Sequence, residues 1–163
     1  MSAMKPDAVD QLHHDHVHLN RLVEGLRSSV QSCLRGEQDP ADLQAEMREF
    51  VHVAQEELLE HFDTEETGLF PWITERFPDQ SMIVAELEVA HDRLCGVMSR
   101  MARLVESAPE DFAHQLDATV ALFARFDANY VKHARDERDL LQQLTSRLTP
   151  EMRREVDAML AEL

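Results

Sequence analysis

Hydrophobic positions along the chain fall into four stripes whose steps alternate between three and four, the period of an amphipathic helix. The first runs Val9, Leu12, His16, Leu19, Val23, Leu26, Val30, Cys33. The second runs Met47, Val51, Ala54, Leu58, His61, Glu65. The third runs Val84, Leu87, His91, Leu94, Met98, Met101, Val105. The fourth runs Phe112, Leu116, Thr119, Phe123, Phe126, Tyr130, His133, Glu137, Leu140, Leu144. Each stripe predicts a long helix with one face in a core.

Turn residues punctuate the stripes. Gly36 to Pro40 ends the first helix, and Asp39-Pro40 opens the second. Gly68, Pro71 and Pro78 are expected to break the chain before the third helix, with Trp72 to Phe77 as a helical turn. Ser107-Ala108-Pro109 separates the third helix from the fourth. Thr149-Pro150-Glu151 pairs an N-cap with proline at the first helical position, which predicts a short C-terminal helix. The fold class is therefore all-α. Short connections favour an antiparallel up-down-up-down four-helix bundle. Residues 1–8 are expected to be a flexible N-terminus, and residues 9–163 a single bundle domain.

Composition agrees with this and narrows the function. The chain has 163 residues, 44% of them hydrophobic, enough for one sizeable core. Its net charge of -16 argues against nucleic acid or an anionic membrane as partner, because both need a basic face. The 2 cysteines, Cys33 and Cys95, make no disulfide framework and fit reduced thiols. Residues 1–7, Met-Ser-Ala-Met-Lys-Pro-Asp, lack the apolar run of a signal peptide. No stretch approaches the roughly 20 apolar residues of a membrane span. A cytoplasmic protein is expected, as monomer or homodimer.

The candidate chemistry lies where the stripes are interrupted. His16, His61, Glu65, His91, His133 and Glu137 occupy positions that should face the core. Burying such groups without partners costs several kcal/mol each, on the order of a lost hydrogen bond or more. A metal would compensate them directly. His and Glu four apart project from the same helix face, so His61/Glu65 and His133/Glu137 can each present a nitrogen and an oxygen to one point. The halves of the chain repeat this pattern: a lone His on one helix, then His-x3-Glu on the next. The turns lie about midway between successive candidates, which sets all four helices' contributions at one level.

Four imidazoles and two carboxylates are too many for one tetrahedral zinc and too rich in nitrogen for calcium or magnesium. They suit iron or manganese at a dinuclear centre, with two bridging carboxylates and two His per ion. Tyr130 and Glu57, each near a candidate ligand on its own helix, are candidates for supporting hydrogen bonds. Cys95, one turn after His91, could offer a further thiol. His52-x3-Glu56 has the same spacing but lies about half a turn out of phase with His61, so it is excluded. His13, His14 and His18 leave the first stripe, and His114 is expected on the surface. Phe62, Met98, Met101, Phe123 and Phe126 are core residues that would keep such a site dry, and Trp72 is expected to cover the bundle end.

The order His, His-x3-Glu, His, His-x3-Glu resembles the hemerythrin-like, cation-binding HHE domain. So do Asp15-His16, the segment His61-x3-Glu65-Glu66-x-x-Leu69-Phe70-Pro71, and Tyr130-x-x-His133. The likeness covers roughly residues 9–145. It implies a non-haem pair of iron ions (Fe2+/Fe3+) with an oxo or hydroxo bridge, manganese or zinc being possible substitutes. It implies His16 and His61 on one iron, His91 and His133 on the other, and Glu65 and Glu137 between them. It also implies binding, sensing or reaction with a small diatomic or peroxide ligand: O2, peroxide or NO. A di-iron oxidase or peroxidase, and an iron-storage or regulatory protein read by a partner, are the alternatives. The oxygen carriers of that family have a second His one turn from the first on the third helix, where this chain has Leu87 and Cys95. They end in His-x4-Asp, where this chain has His133-x3-Glu137. Fewer imidazoles leave the ions more open, which argues against simple reversible oxygen carriage. Ferritin-like di-iron proteins use the reverse order, Glu-x-x-His.

Overall fold

The structure is a computed structural model and describes residues 17–162. His16, His13 and His14 lie outside these residues, as do the expected flexible N-terminus and the start of the first stripe. Seven α-helices occur among the described residues: α1 (Val17–Leu34), α2 (Pro40–Thr64), α3 (Phe70–Arg76), α4 (Ser81–Val105), α5 (Pro109–His114), α6 (Leu116–Thr145) and α7 (Pro150–Ala161). A π-helical turn, Glu65–Leu69, joins α2 to α3, and a 3-10 turn, Pro78–Gln80, precedes α4. No strand occurs among the described residues, so the fold is all-α.

The helix ends follow local chemistry. Helix α1 closes with Gly36 at φ 74°, a left-handed conformation that suits glycine. The N–H of Glu37 then reaches the Ser32 carbonyl at 2.9 Å and the N–H of Gly36 reaches that of Cys33 at 3.0 Å, satisfying the last turn. Asp39 caps α2, its Oδ1 accepting from the Ala41 N–H at 2.9 Å. Thr149 caps α7, accepting from the Met152 N–H at 3.1 Å. Each cap satisfies an N–H that the helix itself leaves free. Asp39→Ala is expected to lower stability by about 1 kcal/mol, measurable as a shifted urea midpoint with unchanged slope.

The expected break at Gly68 and Pro71 does not occur. The chain stays helical from Pro40 to Arg76, and the stop falls at Phe77, whose extended φ of -130° is imposed by Pro78 after it. Pro71 is accommodated because the helix has already widened: the Phe70 N–H bonds back to the carbonyl of Glu65, five residues earlier. The widening also sets the face. His61, Glu65, Leu69, Ile73 and Phe77 are all buried, a run of steps of four. At about 3.6 residues per turn such a run would drift off the face by roughly 40° per step. The π turn takes up part of that drift. The fourth stripe differs in a similar small way, since α5 and α6 meet at a bend at Gln115 rather than forming one helix from Phe112.

Two apolar clusters form the interior. The first gathers Leu19 to Cys33 of α1, Leu43 to Phe62 of α2, Leu94 to Val105 of α4, Phe112, and Phe123 to Tyr130 of α6. The second gathers Leu69 to Phe77, Val84 and Leu87 of α4, Leu140 to Leu144 of α6, and Val156 of α7. Along α2 and its continuation the chain passes from the first cluster to the second. Along α4 it passes from second to first, and along α6 from first to second. Helix α7 lays Val156, Met152, Met159 and Leu160 on the second cluster. Trp72 packs there too, its Nε1–H directed to Glu155 Oε2 at 3.4 Å. No helix among the described residues is long and apolar enough to cross a membrane.

Candidate metal centre

Between the two clusters each crossing helix carries polar side chains. Helix α2 and the π turn supply His61 and Glu65, α4 supplies His91, and α6 supplies His133 and Glu137. All five are buried, with relative exposures of 6, 0, 1, 1 and 4% respectively. Five ionisable groups in one layer, with hydrocarbon on either side, is a costly arrangement unless a cation joins it.

The carboxylates are shared. Glu65 Oε1 lies 2.9 Å from His61 Nε2, and its Oε2 lies 3.1 Å from His91 Nε2. Glu137 Oε1 lies 3.3 Å from His61 Nε2, and its Oε2 lies 3.3 Å from His133 Nε2. Each carboxylate thus turns one oxygen to each of two sides. One side groups His61, Glu65 and Glu137; the other groups Glu65, His91 and His133, and in each group one ligand atom per residue lies within 4.8 Å of the others.

Contacts this short are not all hydrogen bonds. Nε2 of His91 and Nε2 of His133 have no hydrogen-bond partner among the described residues. His91 shows why. Its Nδ1 lies 2.7 Å from Glu66 Oε1. A carboxylate can only accept, so the Nδ1 proton is directed to Glu66 and Nε2 keeps a lone pair. That lone pair faces the oxygen of Glu65, 3.1 Å away. Two acceptors held this close in a buried layer fit a cation between them.

The charges respond accordingly. Burial opposes a charge on His61, but Glu137 and Glu65 override it and push its pKa up to about 10. Burial, then the nearby charge of Glu137, raises Glu65 well above the ordinary carboxylate range. Burial, then the neighbouring His133, pushes His91 down to about 3. Without metal, then, the layer holds protons where a cation would sit, and keeps His91 neutral.

Aromatic rings fix the imidazoles. Phe62 stacks on His91 with centroids 3.8 Å apart and planes at 13°. Phe70 lies near-parallel to the same ring at 5.6 Å, and Phe62 meets His133 edge-on at 5.6 Å. These contacts limit ring rotation and exclude water from one flank of the layer.

Five of the six residues predicted as ligands are therefore brought together, and His16 falls outside the described residues. The exclusion of His52 agrees with its position: its side chain is 73% exposed and pairs with Glu56 at 3.5 Å. His18 and His114 are exposed as expected. Tyr130 is buried one turn before His133, and its hydroxyl donates to Asn20 Oδ1 of α1 at 2.8 Å. Burial, then the charges of Glu137 and Glu57, raises its pKa. Glu57 pairs with His18 Nδ1 at 2.8 Å. Cys95 is half-buried, and neither group of candidate ligands includes it. The residue that sequence reasoning missed is Glu66. It lies off the buried stripe, and only the packing of α4 against the π turn shows its contact with His91.

Residues 7–145 match the family of the hemerythrin HHE cation binding domain, more than half of the chain. Among curated proteins and among solved structures nothing matches. The buried donor set fits the cation that the family binds.

Proposed function

We infer that this chain, which belongs to the hemerythrin HHE cation-binding family, holds two iron ions in its buried polar layer and binds, senses or reacts with O2, peroxide or NO there. The observation that carries this is the sharing of carboxylates. Glu65 and Glu137 each direct one oxygen to the His61 side and one to the His91–His133 side. A single-ion site needs no such division, and two nitrogen- and oxygen-bound ions do. In this reading His61 binds the first ion together with His16, and His91 and His133 bind the second. Helices α1, α2, α4 and α6 form the up-down-up-down bundle, supported by the alternating order in which α2, α4 and α6 cross the two clusters.

When bound, an iron pair supplies one-electron redox chemistry and vacant positions for a small ligand. The chain's own residues do the rest. Phe62 and Phe70 hold the His91 ring and keep that flank dry. Tyr130 ties α6 to α1 through Asn20, next to the layer. Mixing the reduced, iron-loaded protein with O2, with peroxide and with NO tests the proposed reactivity. The expected result is a rapid absorption change with at least one of them, and inertness toward all three would remove the proposal.

Loading should be coupled to protons. With its pKa near 10, His61 carries a proton at pH 7, and Glu65 is also shifted toward its protonated form. Metal binding requires His61 neutral and Glu65 ionised, so loading should release on the order of one to two protons per chain. Calorimetry in two buffers of different ionisation enthalpy measures this directly. The sign for the metal-free fold follows. His61's folded-state pKa is raised from 6.5, so its contribution is complete below that pH and is lost as pH rises toward about 10. Apparent metal affinity should climb through the same window.

A further inference from the structure

Glu66 differs from the other carboxylates at the site. Its side chain is 40% exposed, yet Oε1 lies 2.7 Å from Nδ1 of His91, whose own side chain is 2% exposed. It follows Glu65 in sequence, and the π turn that begins at Glu65 carries both. Adjacent residues there serve opposite ends of one imidazole. Glu65 approaches Nε2 at 3.1 Å from inside the layer, and Glu66 approaches Nδ1 from the solvent side. A regular helix separates adjacent side chains by about 100°. Here both reach one ring, that of His91 on α4.

We propose that Glu66 is a positioning residue that locks His91 with its Nδ1 proton outward and its Nε2 lone pair toward the layer, strengthening it as a ligand to one of the two ions. The inference rests on the two-ion reading above. Its physical basis is the tautomer rule: a neutral imidazole has one N–H and one lone pair, and the acceptor at one nitrogen decides which is which. An ionised partner also raises the electron density on the far nitrogen. Stacking by Phe62 fixes the plane of the ring but leaves the tautomer undecided, so the two contacts are complementary. His133 has no such support among the described residues, since its Nδ1 is buried without a hydrogen-bond partner. The two imidazoles on that side are therefore unequal donors, and His91 is the stronger.

The test compares the full-length chain with its Glu66→Ala and Glu66→Gln variants. Nitrogen-15 NMR of histidine-labelled, metal-free protein reads the His91 tautomer. Anaerobic titration with Co(II) reads the affinities of the two ions. In the parent, His91 should be the Nδ1–H form. Glu66→Gln keeps an acceptor oxygen and should preserve that form. Glu66→Ala should lose it, and the affinity for one of the two ions should fall about 10- to 100-fold while the other changes little. Glutamine should rescue part of that loss. A Glu66→Ala variant with the parent's tautomer and both affinities would overturn the proposal and leave the two-ion reading standing. If the parent takes up fewer than two Co(II), the two-ion reading fails instead, and the tautomer still decides whether Glu66 orients His91. Because Glu66 is partly exposed, neither variant empties the core.

Discussion

Glu65→Ala should leave the protein unable to hold two metal ions, with occupancy falling from about two per chain to one or none. The reason is geometric. Glu65 faces both groups of candidate ligands, with His61 at 2.9 Å from one oxygen and His91 at 3.1 Å from the other. Loss of a single histidine would weaken one position, whereas loss of Glu65 weakens both. Glu137→Ala should behave alike, because Glu137 spans His61 and His133 in the same way. His52→Ala should change nothing, since His52 is exposed and belongs to neither group of candidate ligands despite its identical spacing to a glutamate. Stability gives a second signature. In the metal-free layer the buried Glu65 carboxyl lies 2.9 Å from His61 and shares it with Glu137. Glu65→Leu removes one partner of this buried cluster, so it should lower the stability of the metal-free protein near pH 7, where His61 carries a proton, while abolishing loading. Chemical denaturation of parent and variant after chelation, beside metal analysis of both, measures the two effects together.

The second large effect is expected from Phe70→Ala, at about 3 to 5 kcal/mol. Phe70 is 1% exposed in the second apolar cluster and lies 5.6 Å from the His91 ring. Truncating it opens a cavity beneath the polar layer, and the surrounding helices can only partly collapse into it. Against a typical stability of about 5 to 15 kcal/mol, that loss is a large fraction of the total. Metal loading should weaken as well, because His91 loses one of the two aromatic faces that limit its motion. Leu59→Ala is the control. Leu59 is 47% exposed, and its truncation should fall within about 0.5 kcal/mol of neutral. Thermal unfolding in the absence and presence of metal separates the fold effect from the site effect.

Much of this was legible in the sequence because a helix's period is a strict physical constraint. The second stripe, Met47 to Glu65, is buried at every position, and so is the third, Val84 to Val105. A charged or polar group on such a stripe must meet something, and that reasoning found His61, Glu65, His91, His133 and Glu137. The same phase argument discarded His52, which spacing alone would have kept. Other features were hidden for identifiable reasons. Gly68 and Pro71 carry the local signature of a break, yet a π turn lets the helix run through them, and local propensity cannot register a widened turn that tertiary packing favours. Glu66 reads as a surface residue because its role depends on a helix that starts fifteen residues later along the chain. Glu57 has the right offset to support His61, but its oxygen pairs with His18 of α1. That choice depends on which neighbouring helix arrives, and no single-helix pattern contains it.

The central claim is that this layer holds a pair of iron ions, and metal analysis of protein produced with ample iron tests it most directly. The account predicts about two iron ions per chain, falling to one or none in Glu65→Ala and retained in His52→Ala. About one zinc per chain, with no iron, would contradict it.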